Sequence, residues 1–379
     1  MMSQRSKQEL AQALQSRYLK ADRRLKTQML DEFVASTGYH RKYAIRVLTR
    51  GRVKKTSKRR GRRPIYQGEV VIALEAIWEI CGRICSKRLK PFLPEMVKVL
   101  ERHAELQLQP EVKAQLLQMS RSTIDRCLHS ARFEKRKGLS TTKPGSLLKR
   151  QIPVRTFADW DDARLGFLEV DLVAHCGDSM AGQFLNTLSC TDVSTGWTEC
   201  LAVLYRSQEQ VFAAIQELRQ RLPFPLLGLD SDNGNEFINH LLVDYCRKEE
   251  ITFTRSRPYK KNDQAHVEQK NWSVVRRTVG YDRWESEREY QLLQSIYAEL
   301  RLYVNFFQPV LKLVQKQRVG DKTHKHYDQA QTPYQRVCAV AEGPLEIKAS
   351  LAKQYVELNP AQLRRSIDKK VAVLWKLSR

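Results

Sequence analysis

Three acidic residues, Asp171, Asp232 and Glu268, stand where folding alone gives little reason for a carboxylate. Asp171 follows the apolar run that begins at Phe167. Asp232 opens the tight-turn sequence Asp232-Asn233-Gly234 directly after a second apolar run, and Glu268 lies in Asn262 to Asn271, which reads as the opening of a helix. Between Asp232 and Glu268 there are 35 residues. Carboxylate oxygens are hard donors that suit divalent cations. Three of them drawn from separate elements point to metal-dependent phosphoryl transfer.

The elements that must position these acids can be read from periodicity. Phe167 to Ala174, Gln183 to Val193 and Trp197 to Leu204 alternate as strands, with Ser194-Thr195-Gly196 as a hairpin turn. There follow a helix over 208–221, a strand over 226–230, a helix over 236–248, a short strand near 251–254 and a helix from Asp263 to about Thr278. Three strands and then αβαβα describe a mixed sheet with helices on its faces. Along the first strand Phe167, Glu169 and Asp171 share one face, where an ionised carboxylate is costly unless something neutralises it. In the last helix Ala265, Trp272, Val275 and Val279 trace an apolar stripe that includes Glu268, so its carboxylate is expected to face the sheet. A neighbouring stripe of His266, Lys270, Ser273 and Arg277 is expected beside a DNA backbone. Asp230 competes with Asp232 and is set aside because the turn and the interval favour Asp232. Glu169 is a supporting charge, and Asp192 is most simply a turn acid.

Taken together, strand-borne Asp171, the Asp232-Asn233-Gly234 turn with Glu236-Phe237, and Glu268 after its interval resemble the acidic triad of the retroviral-integrase-like transposases of bacterial insertion sequences. The run Arg257 to Glu268 and the later Asn305-Phe306-Phe307-Gln308-Pro309 add to the likeness, which covers about residues 160–335. The resemblance implies an RNase H-like α/β catalytic core with a mixed five-stranded sheet. It also implies two Mg²⁺ or Mn²⁺ ions on Asp171, Asp232 and Glu268, with cleavage of DNA strands at element ends followed by strand transfer. Asn262, Gln264, His266 and Lys270 would touch the substrate. Retroviral integrases themselves begin with a His/Cys zinc module, whereas Met1 to Arg63 contains no cysteine. Two alternatives remain open: a domesticated DNA-binding regulator, and a structure-specific nuclease on the same core.

Charge points to the same partner. The chain of 379 residues carries a formal charge of +24. Residues 1–63 hold 19 Lys or Arg against 4 Asp or Glu. Such an excess favours a polyanion, here double-stranded DNA. Within this region Arg24 to Arg50 reads as a helix-turn-helix with Gly38 in the turn. Tyr43, Ala44 and Val47 are expected inward, and His40, Arg41, Lys42 and Arg46 toward a major groove. Arg59, Arg60, Arg62 and Arg63 in the basic segment that follows suit a minor groove or phosphates. Residues 112–128 read as a second helix pair of the same kind, with Arg121 and Arg126 outward.

The sequence therefore divides into a basic helix-turn-helix region with its linker (1–63), a second helical region (64–134), a linker (135–158), the catalytic core (159–284) and a helical and basic extension (285–379). In the extension, helices are expected over 286–307 and 359–377, with a basic stretch over 312–325. Of the eight cysteines, Cys81 and Cys85 with His103 lack a fourth metal ligand, so core packing is the better reading. No stretch reaches the roughly 20 apolar residues of a spanning helix, and Met1 to Glu9 lacks a signal-peptide core. A cytoplasmic, nucleoid-associated bacterial protein acting as a homo-oligomer on DNA is expected.

Overall fold

The computed structural model describes residues 2–50, 65–132, 164–232, 234–256, 264–319, 322–340 and 344–377. Arg59, Arg60, Arg62, Arg63 and Asn262 lie outside them. The chain forms two compact units, Met1–Ile65 and Tyr66–Arg379.

The first unit is helical: α1 (Gln4–Lys20), α2 (Arg23–Thr37) and α3 (Arg41–Arg50). Ser3 and Asp22 cap the first two helices by accepting the amides of Ser6 and Leu25. Gly38 ends α2 in the left-handed region at φ 69°, returning its N–H to Val34 at 2.8 Å. Ala11, Tyr18, Met29, Leu30, Phe33, Ala44 and Leu48 form the core. Ala44 is inward as expected, but Tyr43 is exposed, with the Arg46 guanidinium 5.0 Å from its ring centre. Leu48 fills the inward place, four residues after Ala44. Helix α1, which the sequence reading did not mark, contributes Ala11 and Tyr18.

The second unit is built on a five-stranded mixed sheet of order β3-β2-β1-β4-β5, made of β1 (Phe167–Ala174), β2 (Asn186–Asp192), β3 (Thr198–Val203), β4 (Gly228–Ser231) and β5 (Thr252–Arg255). β1, β2 and β3 pair antiparallel, whereas β4 runs parallel to both β1 and β5. Alternation along β1 divides two cores. Leu168, Val170 and Leu172 pack with Val211, Ile215 and Leu218 of α8 (Gln208–Arg221) and with Leu242 and Cys246 of α9 (His240–Lys248). On the other face Val173, Trp197, Cys200 and Ala202 join a large helical core.

That core unites helices from both ends of the unit: α4 (Glu69–Ile80), α5 (Ser86–Arg102), α6 (Pro110–Gln118) and α7 (Arg121–Cys127) before the sheet, and α12 (Glu287–Phe307), α13 (Pro333–Ala339), α14 (Leu345–Glu357) and α15 (Pro360–Leu377) after it. Glu95 accepts from Gln335 and Tyr355, both at 2.6 Å, so the helices assigned to 64–134 and those of the C-terminal extension share one interior. α12 begins with a Ser286–Glu289 capping box. It also covers β3: Asn305 exchanges two 2.8 Å bonds with the backbone of Thr198, and Arg301 grips the buried Glu199. The cations of α15 are largely engaged within the protein, Arg364 with Asp368, Arg365 with Glu105 and Lys370 with Glu299. An antiparallel ribbon, β6 (Leu313–Val319) and β7 (Lys322–Tyr327), forms a second sheet. No described helix is long and apolar enough to cross a membrane.

Candidate active site

The site forms where β4 and its pairing with β1 end. Their parallel register sets Glu169 beside Asp230 and Val170 beside Ser231. One step further lie Asp171 and Asp232. Asp232 closes a turn by accepting the N–H of Gly234 at 2.8 Å. A Cβ at Gly234 would lie 2.5 Å from the carboxylate of Glu236, which would have to shift to admit it. Glu236 is held in turn by Arg206, whose Nε donates to it at 2.9 Å. Asp230 is wholly buried and accepts from the Thr254 hydroxyl at 2.6 Å, which commits it to the sheet.

Glu268 arrives on α10 (Ala265–Lys270), which runs into a π-helical segment, Asn271–Arg276, and then α11 (Arg277–Val279). This helix is tied to β1 on both sides of Glu268. Glu169, fully buried, accepts the first-turn amides of His266 and Val267 at 2.9 and 3.0 Å. There it satisfies donors that no helical carbonyl can reach and meets the positive end of the helix dipole. Asn271 donates to Asp171 Oδ2 at 2.6 Å. Glu268 precedes Asn271 by three residues, so the two share a face. Gln264 spans the strands, its amide lying 3.4 and 3.3 Å from the carbonyls of Val170 and Asp230.

Electrostatics records the convergence. Burial, then the charge of Asp232 and more weakly that of Glu268, push the Asp171 carboxyl up to about 7, against hydrogen bonds from the Leu172 amide and Asn271. Burial disfavours the Arg206 charge, but the hydrogen bond to Glu236 and the charges of Glu236, Asp232 and Asp171 together outweigh it and raise its pKa. A buried carboxylate whose ionisation is opposed by two neighbouring carboxylates is part of a donor set that a divalent cation fits. Among the described residues no group of three or more His, Cys, Asp or Glu is drawn close enough to hold a metal ion as it stands.

Several expectations are corrected. Ala265, Glu268 and Trp272 are exposed, Trp272 to 61%, while Val267, Lys270, Val274, Val275 and Val279 are buried. A π turn adds a residue to each loop of hydrogen bonds, so the stripe drawn at a constant 3.6-residue period falls out of phase. Glu268 is thus placed by the tethers at Glu169 and Asn271, not by an inward-facing stripe. Lys270, expected at a DNA backbone, is only 7% exposed, and burial together with the charge of Arg88 lowers its pKa to about 8. Gln264 is likewise interior, its amide spent on two strands. His266 is half-buried and tethered through its backbone. His40, Arg41, Lys42, Arg46, Arg121 and Arg126 are exposed, although Arg41 pairs with Asp31. Cys81 is buried and its thiol pushed up to about 12, whereas Cys85 is exposed. Asn271 and Arg206 were not among the expected site residues. The step of three from Glu268 to Asn271 was available as a signal; for Arg206, 26 residues before Asp232, there was none.

The arrangement is that of an α/β domain with a mixed five-stranded sheet and an acidic end, joined in sequence to a basic helical region. No protein-family model matches the chain. It is 44% identical over 337 residues to the uncharacterized protein y4rM of Sinorhizobium fredii (strain NBRC 101917 / NGR234), spanning 88% of this chain and 96% of that one. The chain belongs to the same family as y4rM. Among solved structures, the catalytic core domain of BIV integrase aligns with a TM-score of 0.31 at 18% identity, over 50% of this chain and 98% of that one. That match is too loose to decide fold or function.

Proposed function

We propose that the protein is a DNA transposase, a metal-dependent polynucleotidyl transferase that cuts strands at the ends of a mobile element and joins them to a target. The observation that carries this reading is the double tether of the Glu268 helix to β1, Glu169 on the first amides of α10 and Asn271 on Asp171, which supports grouping Glu268 with Asp171 and Asp232. The sheet order and strand directions fit an RNase H-like core. The charge of +24 fits a nucleic-acid substrate.

Asp171, Asp232 and Glu268 would hold two Mg²⁺ or Mn²⁺ ions. When bound, such ions supply the positive charge that stabilises the attacking and leaving oxygens of an in-line phosphodiester displacement. The chain's own residues do the rest. Asn271 orients the Asp171 carboxylate, Glu169 fixes the helix carrying Glu268, and Gln264 holds β1 and β4 in register. Arg206 braces Glu236 against the Asp232 turn and adds a guanidinium where a phosphate would enter. The α2–α3 pair, with His40, Arg41, Lys42 and Arg46, serves as a helix-turn-helix for the element ends. Arg121 and Arg126 give further backbone contacts. Two ends must be paired, so the active form on DNA is a homo-oligomer.

The test is nicking and joining with Mg²⁺ or Mn²⁺ on a supercoiled plasmid carrying the DNA that flanks the gene. Asp171→Asn and Glu268→Gln are expected to lower both reactions on the order of 10³-fold, since metal stabilisation of the transition state is worth several kcal/mol, while leaving DNA binding intact. If both variants kept full activity the site assignment would be wrong. Cleavage without joined products would indicate a structure-specific nuclease, and binding without cleavage a DNA-binding regulator.

A further inference from the structure

The helical segment that carries Glu268 also presents a bare aromatic ring. Trp272 is 61% exposed, whereas Val267, Val274, Val275 and Val279 of the same segment are buried. Tryptophan is ordinarily among the more buried residues, because its large ring gains most from leaving water. A single exposed apolar side chain is common on any surface. Trp272 is set apart by its place and by how it is held.

Ala265, Glu268, Gln269 and Trp272 form one exposed stripe, at steps of three, one and three. Residues four apart on a helix are neighbours, so the ring stands one turn beyond Glu268, about 6 Å along the axis. Its backbone is fixed from both sides: Asn271 donates to Asp171 at 2.6 Å, and Val274 and Val275 enter the core. The π turn sets the ring outward. The Trp272 carbonyl accepts the amide of Arg277, five residues on. At a constant 3.6-residue period Trp272 would instead share the buried face of Val275 and Val279.

The setting also selects the occupant. The neighbours of Trp272 on the exposed stripe, Glu268 and Gln269, are polar, so no apolar patch extends along the helix for a protein partner to cover. A nucleobase has a flat apolar face and polar edges, which suit a lone ring in polar surroundings. Successive nucleotides advance about 3.4 Å along a duplex strand. A phosphodiester held at the acids therefore puts the ring one or two nucleotides away. Inside a duplex each base is covered by its neighbours, so the ring reaches a base face only where the stack ends or opens.

We propose that Trp272 stacks on a nucleobase left unpaired beside the scissile phosphodiester and thereby positions that strand at the acids. This rests on the proposed action on DNA and adds the contact that grips the strand being cut.

The test measures binding of the full chain, with Ca²⁺ present, to fluorescent duplexes of one mixed sequence by anisotropy. One duplex is blunt, and two others end in about five unpaired nucleotides, on the 3′ or the 5′ strand. Base–aromatic stacking is sequence-tolerant, and its strength predicts that wild type binds one of the tailed duplexes about tenfold more tightly than the blunt one. Trp272→Ala and Trp272→Leu should lose that preference while binding the blunt duplex as wild type does. Trp272→Phe, which keeps a ring, should retain most of it. All three change an exposed position, so their melting temperatures should match wild type. Abasic nucleotides in the tail should bring wild type down to the level of Trp272→Ala. If wild type binds DNA but ignores the tail, or Trp272→Ala keeps the full preference, the stack is overturned and the transposase reading stands. Equal losses on blunt, tailed and abasic DNA would also overturn it, marking a contact that needs no base. So would a changed sedimentation mass with the preference intact, which would mark a contact between copies. Failure of wild type to bind any duplex would remove the stack and the transposase reading together.

Discussion

Asp171 is placed under opposing demands. Two hydrogen bonds, from the Leu172 amide and from Asn271, favour its charged form, whereas burial and the charges of Asp232 and Glu268 oppose it and prevail. The carboxyl is raised from the usual 3.8 to about 7 in the fold. Between those values the native state holds a proton that the unfolded state has lost, so this group makes the metal-free protein less stable as pH rises from about 4 to 7, and the loss is complete above that. Asp171→Asn, which cannot ionise, is expected to be more stable than wild type at pH 8 in chelator by roughly 1–3 kcal/mol. The advantage should shrink toward pH 4. Melting curves in EDTA at several pH values check it; an advantage independent of pH would show that charge is not the cause. Divalent cations should abolish the difference by stabilising wild type alone.

Two elements hold the site, the Asp232 turn and the α10 helix, and each can be loosened without touching a proposed ligand. Glu169→Ala leaves the amides of His266 and Val267 without their acceptor, an expected cost of about 1–3 kcal/mol. Glu169→Gln keeps an acceptor oxygen but loses the charge facing the helix dipole, so its cost should be smaller. Both should weaken Mg²⁺ binding, measured by calorimetry, in the same order as they lower stability; unchanged Mg²⁺ affinity in Glu169→Ala would mean that the cap does not position Glu268. Gly234→Ala drives a methyl against the Glu236 carboxylate and should cost about 1–3 kcal/mol, with metal binding lost along with the turn. These elements were unequally legible in the sequence. β1 could be bounded from Phe167 to Ala174 because one face of it is apolar, and α8 from its 3.6-residue period between Ser207 and Leu222. The helix of Glu268 was found, but its facing was misassigned because nothing local announces a π turn at Asn271–Arg276. The β6–β7 ribbon was invisible as strands: it covers no core and so shows no apolar alternation. Glu169 and Asn271 acquire their roles only from residues nearly a hundred positions away.

For the whole molecule, the division into Met1–Ile65 and Tyr66–Arg379 matters more than the expected boundary after residue 134. Linker composition over 135–155 suggested that boundary, yet α4 to α7 contribute Leu74, Ile77, Leu93, Leu116 and Ile124 to the core that also holds Tyr297 and Phe307. Linker composition shows where a chain can cross open space, not which interior its flanking helices enter. The N-terminal unit has a small core of its own, so its stability should respond separately. Phe33 is 1% exposed at the centre of that core. Phe33→Ala should cost about 3–5 kcal/mol, comparable to the whole stability of a domain this small. In scanning calorimetry of the full chain, a low-temperature transition should be lost or shifted sharply downward while the main transition stays in place. The same variant should lose selective binding to element ends yet retain Mg²⁺ binding at the acids. A single transition moving as one would make the protein one cooperative body, and retained end selectivity would transfer recognition from α2 and α3 to the second unit.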